Sequence, residues 1–219
     1  MLGFWSGVVA MRWDKSKVPN VSNTAPRGDD PRRAALLILF ALVALMWVVE
    51  VVDVALDHRL DRYGIEPRDV DGLDGVVAAP FLHVGFGHLL ANTIPFVTMG
   101  IVIALEGARR LVLVTVIVAL ISGFGTWLVA SPGTIHVGAS GIVFGYAAYL
   151  IARGVFNRSG TELAVGAAVV LVWGAALLGG LQPQRGISWQ GHLFGAIGGV
   201  LAASLLAKRP EPKRPPRPA

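Results

Sequence analysis

The sequence predicts an all-α membrane protein, six transmembrane helices in one bundle with both termini on the cytoplasmic side. Three observations carry this. Of 219 residues, 54% are hydrophobic and only 15% charged, where a soluble domain carries about 25% charged residues. The apolar residues gather in long runs, each near the roughly 20 residues needed to cross a bilayer. Lys and Arg alternate between abundant and scarce from one connection to the next.

The first run is Ala34 to Leu56, with Glu50 and Asp53 near its end. The second is His88 to Leu105, its apolar approach beginning around Pro80. Leu111 to Ala130 is the third and is nearly free of polar groups. Val137 to Ala152 is short and glycine-rich, as suits a helix enclosed by others. Leu163 to Leu181 and Ile187 to Ala207 complete the six. They define a six-helix domain over 34–207, flanked by a cytoplasmic segment 1–33 and a basic, proline-rich cytoplasmic tail 208–219. Pro19 to Pro31 is polar and rich in Pro, Asn and Asp, so the first segment is expected to be largely disordered. The tail is expected to stay extended near anionic headgroups.

The basic residues orient the spans. Six lie before the first run, Arg109 and Arg110 follow the second, Arg153 and Arg158 the fourth, and five lie in the tail. Fifteen of the nineteen thus fall on one side, and only Arg59, Arg62, Arg68 and Arg185 on the other. That bias puts both ends in the cytoplasm.

Composition also excludes. The sequence pI is near 10.1, yet the basic residues are loop clusters rather than one patch, so no nucleic-acid partner is expected. There is no cysteine, hence no disulfide, thiol nucleophile or cysteine metal site. His58, His83, His88, His136 and His192 show no zinc-site spacing, so neither metal nor cofactor is expected. The apolar stretch Met1 to Met11 precedes Arg12, Lys15 and Lys17, the reverse of a signal peptide. No internal repeat supports a transporter of inverted halves. The Ala/Val/Gly/Arg-rich composition suggests a bacterial plasma membrane.

Polar groups within spans are costly, so each is a functional candidate. With this topology and a rise of 1.5 Å per residue, Ser140, His192, His88 and Asn92 all fall within roughly 10 Å of the outer boundary. Three helices distant in sequence therefore place polar groups in one layer. Gly141 and Gly145 form a four-residue repeat on the fourth span, and Gly191, Gly195 and Gly199 continue the same interval on the sixth. Small residues at this spacing let two helices approach closely in lipid, which would bring hydroxyl and imidazole within reach. Phe144, one turn after Ser140, is placed to stack on the imidazole.

This layout suits acyl transfer. Ser140 would be the nucleophile and His192 its base. His88 and Asn92, at i and i+4, and the Ser140 backbone amide would supply oxyanion donors. No carboxylate shares the layer except Glu50 and Asp53, so a Ser–His dyad is expected rather than a triad. Each signal alone is weak. His88 and Asn92 also read as interhelical hydrogen-bonding glue, His83 and His136 as interfacial or structural loop residues, and Glu50 and Asp53 as groups that snorkel or cap their helix.

Together the residues are more specific. His83 to Asn92 (HVGFGHLLAN), Gly138-Ala-Ser140-Gly141, and Gly191-His192 with Gly195 and Gly199 resemble the rhomboid intramembrane proteases in order and spacing, over roughly Ala34 to Ala207. The resemblance implies that Ser140 and His192 are the dyad and that His88, Asn92 and the Ser140 amide form the oxyanion site. It implies single-pass transmembrane proteins as substrates, cut near the outer end of their spanning helix, with lateral access beside the fifth span. Two departures stand out. Phe144 occupies a position that is tyrosine in many bacterial members, and the loop from Asp57 to Ala79 is acidic and lacks their Trp-Arg pair. An inactive rhomboid-like scaffold that binds membrane proteins, and an ion-coupled transporter using Glu50, Asp53 and the histidines, are the competing readings.

Overall fold

The computed structural model describes residues 30–208; the expectations for 1–29 and for the tail from residue 209 fall outside the described residues. Seven α-helices form there, and no strand. Six are long: α1 (Pro31–Ala55), α3 (Phe86–Ala104), α4 (Ala108–Val129), α5 (Ser140–Phe156), α6 (Gly160–Gly180) and α7 (Trp189–Leu205), while α2 (Gly75–Ala78) is a single turn. Four of them, α1, α3, α4 and α6, are long and apolar enough to cross a membrane. Helices α5 and α7 have 17 residues each, about 26 Å of rise, less than the roughly 30 Å hydrocarbon core.

Helix α5 is the most enclosed of the six, with ten of its 17 residues buried. α7 packs against both α5 and α4 along glycine-lined surfaces. A methyl on Gly195 would strike the Gly141 carbonyl, and one on Gly199 the Gly145 carbonyl. On the α4 side, a methyl on Gly198 would lie 3.1 Å from the Val118 backbone. Such spacing lets backbones touch where lipid offers no hydrophobic drive to pack. By contrast α6 packs chiefly on α5 and leaves Leu171 87% exposed, a surface suited to hydrocarbon rather than water.

Charged groups gather at the end of the bundle away from Ser140. Glu106 pairs with Arg153 and, at 3.5 Å, with Arg110. Lys208 Nζ reaches Glu162 Oε1 at 3.0 Å, and Asn157 Nδ2 donates to Glu162 Oε2 at 2.6 Å.

The acidic segment after α1 is folded. It contains 3₁₀ turns at Asp61–Tyr63, Asp71–Asp74 and Ala79–Phe81 and pairs with the α4–α5 connection through an antiparallel bridge, Ile65 to His136. The Arg68 guanidinium donates to Ala130 O at 2.9 Å and Trp127 Nε1 to Asp69 O at 2.7 Å. Of the two roles expected for Glu50 and Asp53, snorkelling or capping the helix, the first is corrected here. Glu50 and Asp53 do not snorkel: they are 0% and 1% exposed, on the α1 face shared with Met46. The loop after α1 turns back over that face, and the Leu60 amide donates to Asp53 Oδ1 at 2.6 Å.

Candidate active site

Ser140 owes its position to the turn before it. Gly138 adopts φ +113°, a region that strains other residues. Its amide donates to Ala79 O at 2.8 Å, so the folded acidic segment holds the turn in place. A side chain at Gly138 would also collide with His88, 2.7 Å from Cε1 and 2.9 Å from Nε2, and would lie 3.5 Å from Asn92 Nδ2. Glycine is therefore required there for backbone conformation and for space. Ala139 follows as N-cap and Ser140 opens α5, where the first amides have no intrahelical acceptor.

The glycine contact of α5 with α7 brings the two side chains together. His192 Nε2 lies 2.8 Å from Ser140 Oγ. Nδ1 of the same ring lies 2.7 Å from the Gly180 carbonyl oxygen, at the end of α6. A carbonyl only accepts, so Nδ1 carries the ring proton and Nε2 presents its lone pair to the serine hydroxyl. Phe144 stacks on the imidazole, with centroids 4.1 Å apart and planes at 3°. His192 is buried, and its ring is held on two edges and one face.

Ser140, His192, His88 and Asn92 all line one cavity of about 740 Å³, whose rim includes Ser131, Gln184 and Gln190. Asn92 Nδ2 donates to its own helix at His88 O, 3.1 Å away, and keeps a second amide proton for another acceptor. Gly141, Gly195 and Gly199 sit in the interhelical seam, not in the cavity.

Several supporting groups were not legible beforehand. The Gly180 carbonyl belongs to a Gly-Gly pair that reads only as a helix end. Ser122 on α4 donates to Gly191 O at 2.8 Å, and Thr126 backs it through Ser122 O; their i, i+4 spacing was the available signal, in a span read as nearly free of polar groups. His83, expected at an interface or in a structural role, is fully buried. It accepts the Ala139 amide at 3.4 Å and meets His88 edge-on at 5.1 Å. Burial, with His88 beside it, pushes His83 down to about 4, so it stays neutral and able to accept. His136, also lowered by burial, links Thr134 to Ser188, the residue before α7. Among the described residues, the one cluster with metal-ligand geometry is Asp53, His58 and Asp61, outside this cavity.

Comparison with known proteins agrees with this architecture. The rhomboid domain profile matches residues 72–209. An uncharacterized protein of Mycobacterium tuberculosis is 44% identical over 177 residues, covering 77% of this chain and 74% of its own length. An uncharacterized Mycobacterium leprae protein is 42% identical over 178 residues, 77% and 70% of the two chains. YdcA of Bacillus subtilis, provisionally named a rhomboid protease, is 30% identical over 133 residues, 59% and 65%. With its domain profile spanning more than half the sequence and its apolar helices, this chain is a membrane protein that belongs to the rhomboid family.

Proposed function

We propose that this protein is an intramembrane serine endopeptidase that cuts single-pass transmembrane proteins near the outer membrane face, with Ser140 as nucleophile and His192 as base. The single observation that carries the reading is His192 Nε2 at 2.8 Å from Ser140 Oγ, with the opposite ring nitrogen bound to a backbone carbonyl. That arrangement is what a general base needs: a free lone pair aimed at the hydroxyl and a ring that cannot turn.

The chemistry follows from these contacts. The Ser140 hydroxyl gives its proton to His192 Nε2 as Oγ bonds to the substrate carbonyl carbon. The oxyanion is received by Asn92, His88 and the Ser140 amide, donors fixed before the charge develops. The imidazolium is stabilised by the Gly180 carbonyl and the Phe144 face. It then protonates the departing amine, and water drawn through the cavity releases the acyl group by the reverse steps. In this reading Gly138, Gly141, Gly195 and Gly199 support the site by allowing close approach, and Phe144 by stacking.

The reading extends to topology. Residues 34–207 form a six-span domain with 1–33 and 208–219 in the cytoplasm, in a bacterial plasma membrane, which places the cavity at the outer face. Helix α6 is the proposed side of substrate access: only 11% of its most apolar stretch is buried, against 39% for α3. The test uses purified protein in liposomes with a transmembrane reporter. Wild type should release the fragment, while Ser140→Ala and His192→Ala, folded to the same extent, should fall by at least about 10³-fold. Equal cleavage by all three proteins ends the proposal.

A further inference from the structure

The C-terminal end of α1 holds a second group of ionisable side chains, none of which lines the Ser140 cavity. Asp53, His58 and Asp61 each bring one ligand atom to within 4.8 Å of the others. His58 Nδ1 lies 3.3 Å from Asp53 Oδ2. Asp53 Oδ2 and Asp61 Oδ1 are sealed from solvent without a hydrogen-bond partner. One turn earlier, Glu50 is 0% exposed, and neither of its carboxyl oxygens has a hydrogen-bond partner. Glu50 and Asp53, three residues apart, share the buried face of α1. The Gly85 amide also faces Glu50 but does not reach hydrogen-bond geometry.

Such a group needs a positive partner. A buried carboxyl without a donor is costly, and adjacent carboxylates repel. His58, 49% exposed in its side chain, supplies at most one positive charge against three negative ones. The donor chemistry narrows the candidates. Ca²⁺ and Mg²⁺ take oxygen ligands alone, whereas an imidazole nitrogen among carboxylates suits Zn²⁺ or Mn²⁺. We infer that Asp53, His58 and Asp61, with the buried Glu50 carboxyl one turn away on α1, form a binding site for one divalent cation of the Zn²⁺ or Mn²⁺ type, which clips the loop after α1 back onto that helix.

The clip has a reason to exist. Asp57 and His58 both adopt left-handed backbone, φ 53° and 59°, a conformation that costs non-glycine residues free energy and here turns the imidazole back toward Asp53. The loop runs on to Ile65 and Ala79, whose backbone bonds hold His136 and Gly138 beside Ser140. A cation at the α1 end would stabilise that scaffold without touching the reacting groups.

The test needs no substrate. Tag-free full-length protein in detergent is stripped with chelator and titrated with ZnCl₂, MnCl₂ or CaCl₂. Calorimetry should show one Zn²⁺ or Mn²⁺ bound, and at a hundredfold excess over Kd the unfolding midpoint should rise by about 5–10 °C. Asp61→Asn and His58→Gln, both in the loop, should each weaken binding by at least about tenfold, and Glu50→Gln likewise, with CaCl₂ having little effect. Two results would overturn the inference: no stoichiometric binding at micromolar metal, or equal binding by the Asp53→Asn/Asp61→Asn protein.

Discussion

Replacing Gly195 by alanine puts one methyl group into the α5–α7 seam, where nothing can rotate away. The new Cβ would lie 2.9 Å from the Gly141 carbonyl carbon and closer still to its oxygen. Ordinary contact begins near 3.4 Å, so the carbon alone demands about 0.5 Å of separation and the oxygen demands more. Overpacking of this kind costs about 1–3 kcal/mol. The displacement also reaches the Ser140–His192 hydrogen bond directly, because Ser140 precedes Gly141 and His192 lies three residues before Gly195. A 2.8 Å hydrogen bond stretched by half an ångström or more loses most of its strength, and misplacement on the scale of 1 Å costs about a hundredfold in rate. Gly195→Ala should therefore lower kcat/KM on a transmembrane reporter by about 10- to 100-fold and shift SDS-induced unfolding to lower detergent fraction. Gly179→Ala is the internal control: its Cβ would meet nothing within 4 Å, so activity should hold and stability stay level or rise by up to about 1 kcal/mol. A Gly195→Ala protein as stable and as active as wild type would refute the close-contact reasoning.

If Asn92 is the proposed oxyanion donor, Asn92→Ala should cost roughly 10²-fold in kcat with little change in KM, since such a donor acts in the transition state; an equal rise in KM would assign it to substrate binding. Phe144→Ala removes a stack worth about 0.5–1.5 kcal/mol and should lower kcat/KM by about 2- to 12-fold, while Phe144→Tyr should stay within about twofold; both are read in the same reporter assay. His83 is neutral in the fold, down to about 4 against 6.5 when unfolded. Its contribution is intact above pH 6.5 and is lost as pH falls from 6.5 toward 4, by up to roughly 3 kcal/mol. Unfolding measured from pH 8 to 4 should show this decline, and His83→Gln should flatten it.

What could be read beforehand, and what could not, divides along a physical line. Polar side chains in apolar runs are conspicuous because lipid makes them expensive, and a fixed helical rise turns their sequence positions into depths. Ser140, His88, Asn92 and His192 were legible on that basis, and Gly195 and Gly199 were legible because only small residues tolerate backbone contact. The Gly180 carbonyl that holds His192 was not, since every residue carries a carbonyl and none announces which one it will meet. The same holds for the Ala79 carbonyl that anchors Gly138, contributed by an acidic segment whose composition spoke only of loop. Glu50 and Asp53 show the limit from the other side. Their cost in a span was plain, but snorkelling and burial are both answers to that cost, and the choice was made by a loop folding back through Asp57 and His58. Side-chain chemistry is thus written in residue identity, whereas its orientation here is set by backbone groups brought together only by the fold. In the proposed Ser–His mechanism that asymmetry gives the third position, a carboxylate in a triad, to the main chain of α6, because His192 Nδ1 donates to the Gly180 carbonyl; any motion that carries the end of α6 away from α7 would then also release the imidazole.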